Sequence, residues 1–190
     1  MKDTLMENHS YENLDFTQET LNKGIYEECN FISCNFTGLS LTDFRFIDCE
    51  FINCNLSLVK PGNTVLRETG FRNCKMTGFR FDYCHATNLS FRFESCLLQL
   101  ASFYGMKIPG TLFADCNLKE ADFTGADLSR ALFRRTDLYR AVFENTLLEQ
   151  ADLRTAENYS IDPESNYLSG ARVSSAGLAG LLTKYNLDIE

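Results

Sequence analysis

The chain has 190 residues, enough for one large domain, and no linker divides it. Its formal net charge of −8 repels phosphate backbones and disfavours direct nucleic-acid binding. No apolar run reaches the ~18 residues of a membrane span. The N-terminus also lacks the basic stretch followed by an apolar one that marks a secretory signal. With eight cysteines, this points to a reducing cytoplasm in which thiols stay free.

Residues 1–13 are polar and are expected to form an N-terminal cap. From residue 14 a repeat takes over. Phe16, Leu21, Tyr26, Phe31, Phe36, Leu41, Phe46, Phe51 and Leu56 are spaced by five, and Leu66, Phe71, Met76 and Phe81 continue the phase past Pro61. A second run keeps the spacing from Phe93 through Phe103, Phe113, Phe123, Phe133 and Phe143 to Leu153. Two residues before each central position the side chain is small, as at Ala121, Ala126, Ala131 and Ala141.

A spacing of five gives no common face on an α-helix, and on a continuous strand it alternates sides. The chain must therefore turn once per repeat. Columns recur every twenty residues (Phe31, Phe51, Phe71; Cys34, Cys54, Cys74), so four sides make one turn of a square coil. The two runs differ in phase by two residues. A single step of 22 within ATNLSFRF restores every column, taking Cys74 to Cys96 and Phe81 to Phe103, so a local bulge is expected there.

All eight cysteines occupy the small inward slot: Cys29, Cys34, Cys49, Cys54, Cys74, Cys84, Cys96 and Cys116. Spacing of the CxxxxC type, with only His9 and His85 in the chain, does not match zinc sites, which use CxxC pairs or added histidines. The cysteines read as core packing, and no metal or cofactor is expected. The β-helix is expected over 14–173, about eight coils of an all-β solenoid. Residues 174–190 then read as a capping α-helix and tail. Ser174 or Ser175 would serve as N-cap, and Leu178, Leu181, Leu182 and Tyr185 would form one apolar stripe that plugs the core and could pair two copies.

ADFTGADLSRALF and CNFISCNFTG resemble the A(D/N)LXX motif of the pentapeptide-repeat family. The resemblance implies a right-handed quadrilateral β-helix. The acidic balance and C-terminal segment are similar to the quinolone-resistance (Qnr) and MfpA-like members without long loops. Those members imply a non-enzymatic DNA mimic, dimeric through its C-terminal end, that engages DNA gyrase or topoisomerase IV.

No GxSxG, Walker or GxGxxG pattern appears. Asp122, Asp127, Asp137 and Asp152 fill the outward slot of the repeat, and Arg130, Arg135 and Arg140 fall on successive sides, so neither set forms a catalytic constellation. The candidate partner surface comprises Glu27, Glu28, Asp48 and Glu68, which would stack as a phosphate-like row, together with the outward Ile32 and Ile52. Two functions follow: a DNA mimic acting on a type II topoisomerase, or a general protein-interaction scaffold for another bacterial partner.

Overall fold

The structure is a computed structural model that describes residues 4–87 and 89–188. The chain makes one right-angled corner per five residues, and most corners use one left-handed residue. Two positions after the central side chain, φ is positive at Glu28, Ser33, Gly38, Asp43, Asp48 and Asn53, and the pattern continues through Gln150. Glycine, asparagine and aspartate tolerate this conformation, whereas other side chains lose ~1–2 kcal/mol in it. Successive sides then stack as parallel strands.

The first side carries β1 (Thr4–Glu7), β3 (Gly24–Glu27), β5 (Arg45–Ile47) and β7 (Val65–Arg67), paired in the order β1-β3-β5-β7. The second side carries β2 (Ser10–Glu12), β4 (Asn30–Ile32), β6 (Glu50–Ile52), β8 (Thr69–Arg72), β9 (Phe91–Glu94), β10 (Leu112–Ala114) and β11 (Leu132–Arg134). These form one seven-stranded parallel sheet. The third and fourth sides are held by isolated bridges, such as Asn35↔Asn55↔Lys75 and Ser102↔Asp122↔Val142. The seven strands enclose six turns of regular strand, and above β11 the same ladder continues as the bridges Leu132↔Asp152 and Asp152↔Arg172, two further steps of twenty.

The register confirms the twenty-residue turn and its one exception. Phe31 faces Phe51 and Phe51 faces Phe71, whereas Phe71 faces Phe93, a step of 22. Lys75↔Leu97 and Arg80↔Ser102 take the same step, after which Leu97↔Asn117 returns to twenty. The extra residues fall on the first side, after a short 3-10 turn at Phe81–Tyr83. Asn88 of this stretch lies outside the described residues.

Aromatic rings fill the tube as two ladders on opposite sides. On the second side Tyr11, Phe31, Phe51, Phe71, Phe93, Phe113 and Phe133 stack with centroids 4.8–5.3 Å apart. On the fourth side Phe81, Phe103, Phe123 and Phe143 do the same at 4.6–5.1 Å. The ladders meet edge to face, as between Phe103 and Phe113 at 5.7 Å and 85°. Offset-stacked and T-shaped pairs are both favourable ring geometries.

All eight cysteines are buried and free. Their slot does more than pack. The Cys34, Cys54, Cys74 and Cys96 thiols each donate to the carbonyl of the central residue one coil below, at 3.2–3.3 Å. Thr136 and Thr146 hydroxyls make the same bond to Phe113 and Phe123 at 3.0 and 2.9 Å. The inward small position is thus a donor slot that satisfies a buried carbonyl.

Burial pushes the Cys49 thiol up to about 12 and also raises the Cys84 thiol and the Tyr26 phenol. An acid raised by folding stabilises the native state fully below its unfolded value, and that contribution fades as pH climbs through the folded value. Stability should therefore be flat near neutrality and fall from about pH 8.5, where unfolded thiols ionise, through about pH 10, where tyrosines follow. Urea midpoints at several pH values across this range measure it, and a midpoint constant to high pH would contradict the burial of Cys49, Cys84 and Tyr26.

Both ends differ from expectation. The first three residues of the expected N-terminal cap lie outside the described residues, and the rest is not a cap. β1 and β2 pair in register with β3 and β4, so this segment is the first coil. Met6 and Tyr11 extend the spacing of five back from Phe16. At the other end, residues 189–190 of the expected helix and tail lie outside the described residues, and among the described ones no α-helix forms. Residues Ala176–Leu181 and Thr183–Tyr185 form 3-10 turns instead. Three residues per turn eclipse Gly177 over Gly180, and both face Tyr159. A methyl group on either glycine would overlap the tyrosine.

Candidate partner-binding surface

The corner between the first and second sides brings the predicted acids together. The Glu28 amide donates to Ile47 O at 3.0 Å, and the Asp48 amide donates to Arg67 O at 2.9 Å. The Glu68 amide donates to Ser90 Oγ at 2.8 Å. Glu28, Asp48 and Glu68 are consequently one column, a coil apart, each in the left-handed conformation and exposed. Glu27 sits beside them, one column over, with Glu7 as its strand partner below. Glu7 falls in the polar stretch 1–13, where only Met6 and Tyr11 of the described residues carry the repeat.

None of the ion pairs among the described residues includes Glu7, Glu27, Glu28, Asp48 or Glu68. Elsewhere carboxylates are neutralised by neighbours. Asp152 is held down to about 2 by the Arg154 guanidinium, and Asp115 is lowered by Arg135. The acidic corner is finite. Arg67 lies in the Glu27 column, and above Glu68 the corner residues become Gly110 and Arg130.

Ile32 and Ile52 are strand partners on the second side and only half exposed. Glu12 lies below them and Arg72 above. They form a two-residue apolar strip. Ile47, in the equivalent outward slot of the first side, is buried.

Of the four C-terminal residues expected on one stripe, Leu178 and Tyr185 are exposed, while Leu181 and Leu182 are half-buried. Leu181 alone of these packs on the core. The segment is tied down by polar contacts. Lys184 bridges Asp162 and Glu164 at 2.7 Å each, and the Tyr185 hydroxyl donates to Glu164 at 2.9 Å. The Ser174 hydroxyl, not Ser175, accepts the Gly177 amide at 3.1 Å. A hollow of about 610 Å³ lies between this segment and the last coil, lined by Arg135, Arg154, Asn158, Tyr159 and Ser174. Both of its arginines are already paired with aspartates.

Among the described residues no cluster of three or more His, Cys, Asp or Glu side chains is arranged to hold a metal ion, and no helix is long and apolar enough to cross a membrane.

Sequence comparison matches the family described as pentapeptide repeat region over residues 24–94 and 44–123, and the one described as pentapeptide repeats over 116–154. The chain belongs to the pentapeptide-repeat family. A search among curated proteins finds no match. This pentapeptide-repeat protein is similar in structure to a trypsin-treated variant of QnrB1, a plasmid-mediated fluoroquinolone resistance protein. That match has a TM-score of 0.64 and 16% identity and covers 98% of this chain and 100% of the other. Full-length QnrB1 matches with a TM-score of 0.64 and 15% identity, over 97% and 100% of the two chains. At these identities the likeness establishes the fold.

Proposed function

We propose that this pentapeptide-repeat protein is a non-enzymatic binding scaffold whose acidic corner occupies a basic, nucleic-acid-binding groove on a protein partner, with DNA gyrase or topoisomerase IV as the candidate. The observation that carries this reading is the unpaired carboxylate set Glu7, Glu27, Glu28, Asp48 and Glu68 on one corner of a rod. Stacked coils space those charges at ~4.8 Å. No lysine or arginine of this chain pairs with them among the described residues, which leaves them available to the cations of a partner. The Qnr-like fold supports the choice of partner. The exposed Leu178, Tyr185 and Leu187 support a second copy joining at the C-terminal end, which would double the acidic surface along one axis.

The test is a supercoiling assay with purified gyrase, with and without a fluoroquinolone, across a titration of the protein. Inhibition of supercoiling, or relief of the drug's effect, is expected. Absence of both at tens-of-fold excess would discard the topoisomerase reading. The alternative, a scaffold for a different bacterial partner, is favoured by the abrupt end of the acidic column at Gly110 and Arg130. Sedimentation of the protein against a Leu178→Lys variant tests the dimer.

A further inference from the structure

Diagonally across the rod from the acids, the corner between the third and fourth sides carries a different surface. Its column reads Gly38, Leu58, Gly78, Leu100, Glu120, as fixed by the amide bonds Gly38 to Ser57 O, Gly78 to Gln99 O and Leu100 to Lys119 O. Leu58 and Leu100 have φ of 59° and 60° and are 71% and 56% exposed. Leucine is doubly disfavoured there, by the left-handed backbone and by solvent, where other corners use polar residues or glycine. Gly78 between them leaves a gap in which an added Cβ would meet nothing.

A further observation converges on the same corner: Lys60, Lys75 and Arg80 border the column on its two sides. Lys60 and Lys75 enter no ion pair among the described residues, so the patch is locally cationic on an acidic molecule. Glu120 closes it above.

We infer that Leu58, Gly78 and Leu100 form a docking corner for an extended, acidic peptide segment of a partner protein, running along the rod axis. The two leucines are two coils apart, ~9.6 Å. A polyproline II chain repeats its side-chain direction every three residues, a rise of ~9.3 Å. Apolar residues three apart on such a segment would each contact one leucine, with the backbone seated over Gly78. Acidic residues between them would face Lys60 and Lys75. The site is independent of the acidic corner and of any topoisomerase.

The probe is a fluorescein-labelled peptide of three Leu-Pro-Glu triplets, read by anisotropy and by amide shift mapping on the full chain. Binding is expected, with shifts confined to residues 57–60, 75–80 and 97–100. A Leu58→Asn, Leu100→Asn double variant should bind at least tenfold more weakly while its melting temperature stays equal or rises, because asparagine accepts the left-handed backbone. Gly78→Asn keeps both leucines, fills the gap and should weaken binding to a similar degree, so the result does not hinge on one variant. A Leu-Pro-Lys counterpart should not bind. No binding of the acidic peptide at millimolar concentration, equal binding of the lysine peptide, or unchanged binding by both variants would overturn the proposal.

Discussion

Phe123→Ala should lower the stability of the rod by ~3–5 kcal/mol, read as a shift in urea midpoint. Phe123 is fully buried. It stacks on Phe103 and Phe143 at 5.0 and 5.1 Å and meets Phe113 and Phe133 edge to face at 6.0 and 6.1 Å. Truncation removes the ring from four aromatic contacts at once, and the surrounding strands are fixed by ladder bonds above and below, so the cavity has little room to collapse. Tyr104→Ala is the control. It lies next to the same ladder but is 59% exposed, and its cost should stay within ~0.5 kcal/mol. Equal midpoints for the two variants would remove the aromatic ladder as the principal source of stability.

The combined variant Glu28→Lys, Asp48→Lys, Glu68→Lys should keep its fold and lose partner inhibition at least ~10-fold, because like charges placed against a basic groove repel. The fold survives because these side chains are exposed and outside every described ion pair, and lysine fares no worse than glutamate in a left-handed corner. The half-inhibitory concentration in the supercoiling assay measures the effect, with circular dichroism as the fold check. Raising ionic strength should weaken the wild type in the same direction, since exposed charges are screened within ~10 Å at 0.1 M salt. A folded variant that inhibits like the wild type would remove the acidic corner from the interface.

The interior of this molecule was readable in its residues because a solenoid repeats its packing rule in every turn. The spacing from Phe16 to Leu153 defined the inward positions, and the step of 22 that takes Phe71 to Phe93 was visible as a change of phase. Other features were hidden where function of a slot depends on its neighbours. The cysteine position looked like simple filling, because the carbonyl it bonds belongs to a residue 23 or 25 positions earlier. Ile47 occupies an outward slot yet is buried, while Ile32 and Ile52 are not. The C-terminal pattern Leu178, Leu181, Leu182, Tyr185 suits an α-helix, but Gly177 and Gly180 meet Tyr159 best on a three-residue turn. The peculiarity of Leu58 and Leu100 could not be seen at all until the sign of φ at each corner was known.

Every described ladder pairing in the rod joins residues 20 or 22 apart. A new coil therefore needs only the one made just before it, and nothing from the far end of the chain. As the polypeptide leaves the ribosome it can be wound turn by turn onto a growing template, with one growing edge at any moment. Non-local pairing slows folding in most β proteins because distant segments must first find each other. Here that search is replaced by sequential deposition, at a pace set by translation.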